Sequence, residues 1–408
     1  MELAKMDTQT GQVSKGTSCQ VCGSHDVVVF FEQSNVPVIC NQLLATEDAA
    51  KEAKLGDVSL GHCAHCGAIV NYAFDPDRLD YNASYDNALH FSNEFQKFAD
   101  RLAARLIHSY NLEGEMVAEI GCGDGYFLRL LLERGIGSAI GYDPSMSSGR
   151  LEKLPQQDGL TIIPEAFGQQ ELPDTVMAVL CRHVLEHIPD PDPFLSAIRS
   201  TIGERSCVTY FEVPNARWML ESDSLWDVIY EHVTYWTPEA LTFAMNRAGL
   251  HPFNVETDFN DQYLMVEASP AVPTKPLELD HATTVQQTRQ TAIAFGNSAS
   301  RELQIWQERL SELSVAGGKA VLWGGVSKGV TFLNTVPASA KSIAAVIDVN
   351  DRKQGMYVSG TAHPITAPND LAEIAPQLIL VSNEIYLNEI KAMTAQMGLE
   401  PEFLTIAG

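Results

Sequence analysis

Positive charge is scarce in this 408-residue chain: 27 Lys and Arg stand against 52 Asp and Glu, a formal net charge of −25. No Lys/Arg cluster relieves the imbalance, which excludes nucleic acid as a class of partner, because phosphate binding needs a basic face. Long apolar runs are missing as well; none approaches the ~18 residues of a membrane span. Residues 1–15 are polar and carry no signal-peptide h-region, which predicts a cytoplasmic protein with a frayed N-terminus. In that setting eight cysteines point to metal ligation or plain burial and away from disulfides. Hydrophobic residues at 45% and charged residues at 19% describe an ordinary globular protein, long enough for two or three domains.

What is present is organised around residues 116–143, M-V-A-E-I-G-C-G-D-G-Y-F-L-R-L-L-L-E-R-G-I-G-S-A-I-G-Y-D. Val117, Ala118 and Ile120 predict a short buried strand, and Gly121, Gly123 and Gly125 a sharp turn that a ligand can approach closely. Phe127, Leu128, Leu131 and Leu132 then recur at helical spacing. Open α/β sheets bind ligands at such turns, beyond the carboxyl ends of parallel strands. Glu119 and Asp124 flank the turn, which disfavours a pyrophosphate on the helix N-terminus and suits a cationic, hydroxyl-bearing ligand. Asp143 ends the next strand, where a carboxylate accepts bonds from ribose hydroxyls. The G-C-G-D-G core lacks the G-x-G-x-x-G spacing of a dinucleotide turn. The set resembles the E-x-G-x-G-x-G motif and ribose acid of class I S-adenosylmethionine (SAM) methyltransferases, and that resemblance assigns Glu119, Gly121, Gly123 and Asp143 to the cofactor.

Upstream, Cys19-x-x-Cys22 and Cys63-x-x-Cys66 are two knuckles of the kind that complete a tetrahedral, structural Zn²⁺ site. Cys40, His25, His62 and His65 are not needed for it, and the residues between the knuckles must fold as a small unit. Ser92 caps a helix with Phe95, Phe98, Leu102 and Leu106 on one face. Just before it, in residues 80–87, Tyr81 and Tyr85 either cover the cofactor or substrate or pack between domains.

Downstream of Asp143, strands are predicted at 160–163, 176–181 and 206–213. Phe167 follows the first of these, where adenine would lie. Arg182-His183-Val184-Leu185-Glu186-His187 follows the second, at the strand end facing the transferred group. His187 is the candidate base or substrate contact there, His183 reads as structural, and Arg182 is a candidate cation for an anionic substrate. Next comes an aromatic loop holding Tyr230, Glu231 and His232, ahead of a helix that Thr237 caps and Pro238 opens. A carboxylate beside an imidazole raises its basicity, so the Glu231-His232 pair is the most specific catalytic signal in the chain. Strands at 253–256 and 263–267 finish this sheet, and the proline-rich residues 269–276 form a linker. A long helix with Ile305, Leu310 and Leu313 leads to a second strand and glycine turn at 320–329. Ser327 and Lys328 replace the acids there, which suits phosphate or a sugar hydroxyl. Strands at 343–348 and 377–381 and a helix after Glu384 complete a small parallel sheet, either a substrate-binding unit or a purely structural lid.

The order of zinc knuckles, SAM fold, Glu-His loop and a C-terminal unit with G-G-V-S-K-G and D-x-N-x-x-K-Q-G resembles the sugar C-methyltransferases that act on nucleotide-linked keto-sugars. That resemblance implies an α/β chain in three units: a zinc-binding module over 1–80, a class I SAM-dependent methyltransferase domain over 81–272, and a second Rossmann-like domain over 273–408. It implies SAM and structural zinc as cofactors and a nucleotide-sugar as the small-molecule partner. His187, Glu231, His232 and Tyr230 would line the catalytic centre, Phe167 and Tyr85 would touch the cofactor, and Arg182, Lys328, Asp348 and Lys353 the substrate. The chain departs from the family in two places. Ile229 stands where the family's Y-H-E-H tyrosine would be, and Asn260-Asp261-Gln262-Tyr263 replaces an H-G-G-S strand start. Carbon methylation would have His232, tuned by Glu231, as base, and His187 or a pocket tyrosine steadying the enolate. The alternatives are O- or N-methylation of a sugar or other small molecule, and a non-catalytic SAM-binding subunit of a biosynthetic complex.

Overall fold

The computed structural model describes residues 18–79, 85–86, 88–146, 148–275, 277 and 280–406. The expectations for residues 1–15, for Tyr81 with the rest of 80–84, for Asn87 and for Pro276 lie outside the described residues.

Three sheets follow one another along the chain. β1 (Val27–Pro37), β2 (Leu55–Cys63) and β3 (Ile69–Asn71) form an antiparallel meander. Its register sets Val27 opposite Cys63. The turn before β1 and the turn after β2 therefore leave from the same edge, which brings the two Cys-x-x-Cys knuckles together.

β4 (Met116–Ile120), β5 (Ser138–Tyr142), β6 (Leu160–Ile163), β7 (Val176–Arg182) and β8 (Val208–Pro214) then build a parallel sheet. β9 (Thr234–Tyr235) leaves it and pairs with β3 instead. The sequence gives no strand signal there beyond one β-branched and one aromatic residue, so only the partner strand reveals it. β10 (His251–Asp258) and β11 (Tyr263–Ser269) return to the central sheet, whose order is β10-β11-β8-β7-β4-β5-β6, with β11 antiparallel to both neighbours.

Both faces of this sheet are covered, and β4 alternates between them. Val117 packs with Phe98, Leu102, Leu106 and Leu128, whereas Ala118 and Ile120 pack with Leu195, Ile198, Leu241 and Met245. Strands buried on two faces read as near-continuous apolar runs, which is why the core of this unit was predictable. The helix Asn93–Tyr110 starts as expected, with Ser92 Oγ accepting the Glu94 and Phe95 N–H groups, and Thr237 caps Pro238–Arg247 through the Ala240 N–H.

The third sheet is wholly parallel: β12 (Ala320–Trp323), β13 (Ile343–Ile347), β14 (Ile365–Thr366), β15 (Leu378–Val381) and β16 (Glu402–Thr405), in the order β14-β13-β12-β15-β16. The 35-residue helix His281–Val315 joins the units. Its Phe295 meets Phe30 and Phe31 of β1, and about three turns further along Trp306 stands edge-on to Phe332 of the third unit. No helix among the described residues is long and apolar enough to cross a membrane.

Candidate active site

The register of the central sheet sets Ile120 beside Tyr142 on one side and Cys181 on the other. Gly121, Asp143 and Arg182 therefore leave their strands at one level and surround one cleft of about 500 Å³. Gly121 and Gly123 have φ of 69° and 53°, conformations that favour glycine. A Cβ on Gly121 would lie 2.2 Å from Val184 Cγ2, whereas one on Gly123 would meet nothing within 4 Å, because the cleft lies beyond it.

Two carboxylates shape this cleft differently. Asp143 holds the turn closed: its Oδ2 accepts the Gly123 N–H at 2.7 Å, and its Oδ1 accepts the Ser145 N–H at 2.8 Å and hydroxyl at 2.6 Å. Glu119 is buried at 3% exposure, and its Oε2 has no hydrogen-bond partner among the described residues. Burial pushes its carboxyl up to about 8, against the pull of Arg182, whose Nη1 stands 3.9 Å away. An orphaned buried carboxylate oxygen beside an unobstructed glycine turn fits a cationic nucleoside such as SAM.

A second cavity, about 140 Å³, lies where the central and C-terminal sheets face each other. His187, His232, Tyr235 and Tyr263 line it from one unit, and Ser327, Lys328, Asn383 and Tyr386 from the other. Leu89, His183 and His187 line both cavities, so the imidazoles stand where cofactor and acceptor would meet.

This junction is a cluster of three histidines around one carboxylate. Glu186, 2% exposed, places Oε1 3.6 Å from His183 Nδ1 and 4.0 Å from His187 Nε2. His187 Nδ1 bonds to the Glu231 carbonyl at 3.1 Å, and the His187 and His232 rings lie 5.1 Å apart at 76°. Burial works against charge on His183, yet Glu186 and Glu212, the latter 3.0 Å from Nε2, carry it up to about 9. His232 goes the other way, down to about 3, through burial and then the neighbouring His187. Burial lowers His187 too. One imidazole is thus held charged and two are held neutral.

Several expected site residues fall elsewhere. The Glu231 carboxylate turns away from His232 and accepts the Cys40 N–H at 3.1 Å; the carboxylate whose charge acts on His232 is Glu186. Tyr230 is fully buried against the N-terminal module, its hydroxyl accepting the Asp75 N–H at 3.0 Å, and lines neither cavity. Pairing of β9 with β3 fixes the loop in this orientation and presents Tyr235 to the cavity instead. Phe167 packs edge-on to Tyr142 at 5.2 Å and is absent from the cofactor cleft wall, whereas Tyr85 is part of it.

Arg182 faces the cofactor cleft rather than the acceptor cavity, 2.9 Å from Glu212 and stacked 4.0 Å over Phe127. Lys328 does reach the acceptor cavity, ion-paired to Asp227 at 2.9 Å and bonded to Gln262 at 3.0 Å. Asp348 repeats the Asp143 geometry, accepting the Gly325 and Asn350 N–H groups, each at 2.9 Å; it lines a small adjoining pocket of about 70 Å³. Lys353 is 1% exposed and packs beneath Cys40, away from the acceptor cavity. Tyr263, Tyr386 and Glu186 carried no assignment in the sequence. Only Glu186 had a readable signal, through its position in H-V-L-E-H.

At the far end of the N-terminal sheet the four cysteine Sγ atoms lie within 4.8 Å of one another, with Cys19–Cys66 and Cys22–Cys63 separations of 3.6 Å. A tetrahedral ion with bonds of ~2.3 Å holds sulfurs about 3.8 Å apart, so the cluster has the size of a single closed metal site.

The strand order with its one antiparallel strand, the acid-flanked glycine turn and the carboxylate that ends the next strand define a class I SAM-dependent methyltransferase fold. Residues 92–255 match the family model described as a methyltransferase domain, and residues 275–400 that of a C-methyltransferase C-terminal domain. The chain is 26% identical over 408 aligned residues to C-methyltransferase NovU of Streptomyces niveus, covering 96% of this chain and 93% of that one. A tRNA U34 carboxymethyltransferase of Campylobacter fetus subsp. fetus is 30% identical over 37% of this chain and 58% of its own. A solved SAM-dependent methyltransferase from Mesorhizobium loti aligns with 42% of this chain and 97% of its own, at 17% identity and a TM-score of 0.33. The protein is a SAM-dependent methyltransferase.

Proposed function

We propose that this enzyme methylates a carbon alpha to the ketone of a nucleotide-linked keto-sugar, in three units divided near residues 80 and 272, with structural zinc on Cys19, Cys22, Cys63 and Cys66. Likeness to a C-methyltransferase along nearly the whole chain supports the reaction type. The observation that carries the reading is that His187 lines both cavities while His232 faces it from the acceptor side.

When bound, the cofactor supplies an electrophilic methyl group; the residues must provide a nucleophile in line with it. His232 takes the alpha proton onto its imidazole as the C–H electrons move into the enolate. A cavity tyrosine donates to the enolate oxygen, because neutral His187 already gives its one N–H to the Glu231 carbonyl, and the charged His183 adds a fixed positive field beside it. The nucleotide would lie along the C-terminal edge, with hydroxyls toward Lys328, Ser327 and Asp348.

A screen of keto-sugar nucleotides by mass spectrometry tests this reading, the product gaining one methylene unit. An alpha-deuterated acceptor should lose its label during turnover. Retention of the deuterium alongside methylation would assign transfer to oxygen or nitrogen and remove the enolate.

A further inference from the structure

Three metal-type donors converge where the two cavities meet. A Glu186 carboxylate oxygen, a ring nitrogen of His187 and a ring nitrogen of His232 all lie within 4.8 Å of one another. The first two sit on the short 3₁₀ turn Leu185–His187; a 2.8 Å bond from the Val233 N–H to the Glu186 carbonyl brings the loop carrying His232 against that turn.

Two further features point to a ligand. Among the described residues Glu186 Oε2 is buried and has no hydrogen-bond partner, a state that in native structures marks strain, a catalytic role, or a bound water or ion. His187 offers Nδ1 to the Glu231 carbonyl and turns Nε2 toward Glu186, and a backbone carbonyl on the outer ring nitrogen is the usual support behind a metal-bound imidazole. The acceptor cavity opens on the remaining side, leaving room for a fourth ligand. Two imidazoles and one carboxylate with an open position suit a borderline divalent ion such as Zn²⁺, Co²⁺ or Ni²⁺. Such an ion, with bonds of ~2.1 Å, holds its donors about 3.4 Å apart, so side-chain adjustments on the order of 1 Å close the site.

We infer that Glu186, His187 and His232 bind a first-row divalent ion at a site separate from the four-cysteine cluster, and that an ion seated there blocks methyl transfer by occupying the imidazole lone pair used for proton removal. The blocking half rests on the reading of His232 as base given above; the binding half does not.

Protein carrying one zinc per chain is titrated with Co²⁺ by calorimetry and visible absorption. A second equivalent should bind, with the d–d bands of nitrogen and oxygen ligation and without thiolate charge transfer. It should be absent from both Glu186→Gln and His232→Asn, each checked for retained zinc and an unchanged melting transition. No second equivalent, or one that persists in both variants, overturns the site. S-adenosylhomocysteine formation with any accepted acceptor should fall at least tenfold at full cobalt occupancy and return on chelation of the second equivalent. Undiminished turnover with the ion bound overturns the blocking half. Cobalt binding needs no acceptor, so failure of the metal site and failure of the ketone reading are seen separately.

Discussion

Gly121→Ala and Gly123→Ala separate the structural role of the glycine turn from its ligand-holding role. Both positions have positive φ, 69° and 53°, where an L side chain costs roughly 1–2 kcal/mol. At Gly121 the new methyl would also sit 2.2 Å from Val184 Cγ2, and overpacking of this kind adds about 1–3 kcal/mol. Gly121→Ala should therefore destabilise the central unit by about 2–5 kcal/mol. Gly123→Ala meets no atom within 4 Å, so its stability loss should stay near the backbone term of roughly 1–2 kcal/mol. Its methyl instead projects into the space a ligand must enter, and SAM affinity should fall at least tenfold. Urea unfolding midpoints at constant m-value and calorimetric titration with SAM measure the two effects. Wild-type SAM affinity in Gly123→Ala would show that the cofactor does not lie over this turn. Equal stability of the two variants would show that the Val184 contact does not constrain Gly121.

Arg182→Met takes from the buried Glu212 one of its two cations, His183 being the other, and should cost up to about 3–5 kcal/mol; a variant as stable as wild type in urea would mean the Arg182–Glu212 pair contributes nothing net. Glu119, raised to about 8 by burial with Glu212, Asp143 and Asp124 adding to the shift, Arg182 opposing it and Cys122 alongside, is protonated in the free enzyme below that pH. A cationic cofactor favours the ionised form, so binding must expel the proton, and SAM affinity should rise with pH up to about 8 and level off above it, by at most about tenfold per pH unit. Calorimetry in buffers of different ionisation heat should show proton release at neutral pH, and Glu119→Gln should flatten the profile; an affinity constant between about pH 6.5 and 9 in the wild type would refute it. Cys63→Ser should lose one zinc per chain by elemental analysis and expose β1–β3 to protease, because structural zinc binding free energy, about 10 kcal/mol or more, is folding free energy; an intact sheet without metal would refute that coupling.

The convergence of the glycine-turn residues on one cleft was legible because they are contiguous and their chemistry is local. Glu119, Gly121 and Gly123 lie in one strand and turn, and Asp143 ends the very next strand, so parallel pairing places all four together. Ser92 and Thr237 were legible for the same reason, since a cap needs only its own first turn. The acceptor half was not, because it is made by the meeting of two sheets. Tyr386 and Asn383 reach His187 and His232 only through the packing of the third unit on the first two. Glu231 misled for a related reason. Glu231 lies in a turn closed by the His232 N–H on the Ile229 carbonyl at 3.1 Å, and its carboxylate is drawn off to the Cys40 N–H, so adjacency in sequence did not make Glu231 and His232 a contacting pair. Glu186, distant from His232 in sequence, is the spatial partner. The same turn leaves Tyr230 against the N-terminal module, its hydroxyl accepting the Asp75 N–H.

What Glu231 does instead explains why the catalytic junction draws on all three units. Its carboxylate is held by the Cys40 N–H of the N-terminal module. The charge of Lys353, itself fully buried under the C-terminal sheet, opposes the rise that burial imposes on the carboxyl. Its carbonyl, meanwhile, fixes the ring of His187. One residue thus ties the backbone immediately before His232 to the modules on either side and sets the orientation of the neighbouring imidazole. A carboxylate and an ammonium taken out of water are tolerated only while the groups around them stay in place. Displacement of either flanking unit would therefore strip Glu231 of the Cys40 hydrogen bond or of the Lys353 charge that opposes its rise, and loosen His187 and His232 together. On this argument the N-terminal module and the C-terminal sheet, far from being appendages to a methyltransferase core, fix the distance between the two imidazoles on which the proposed proton removal depends.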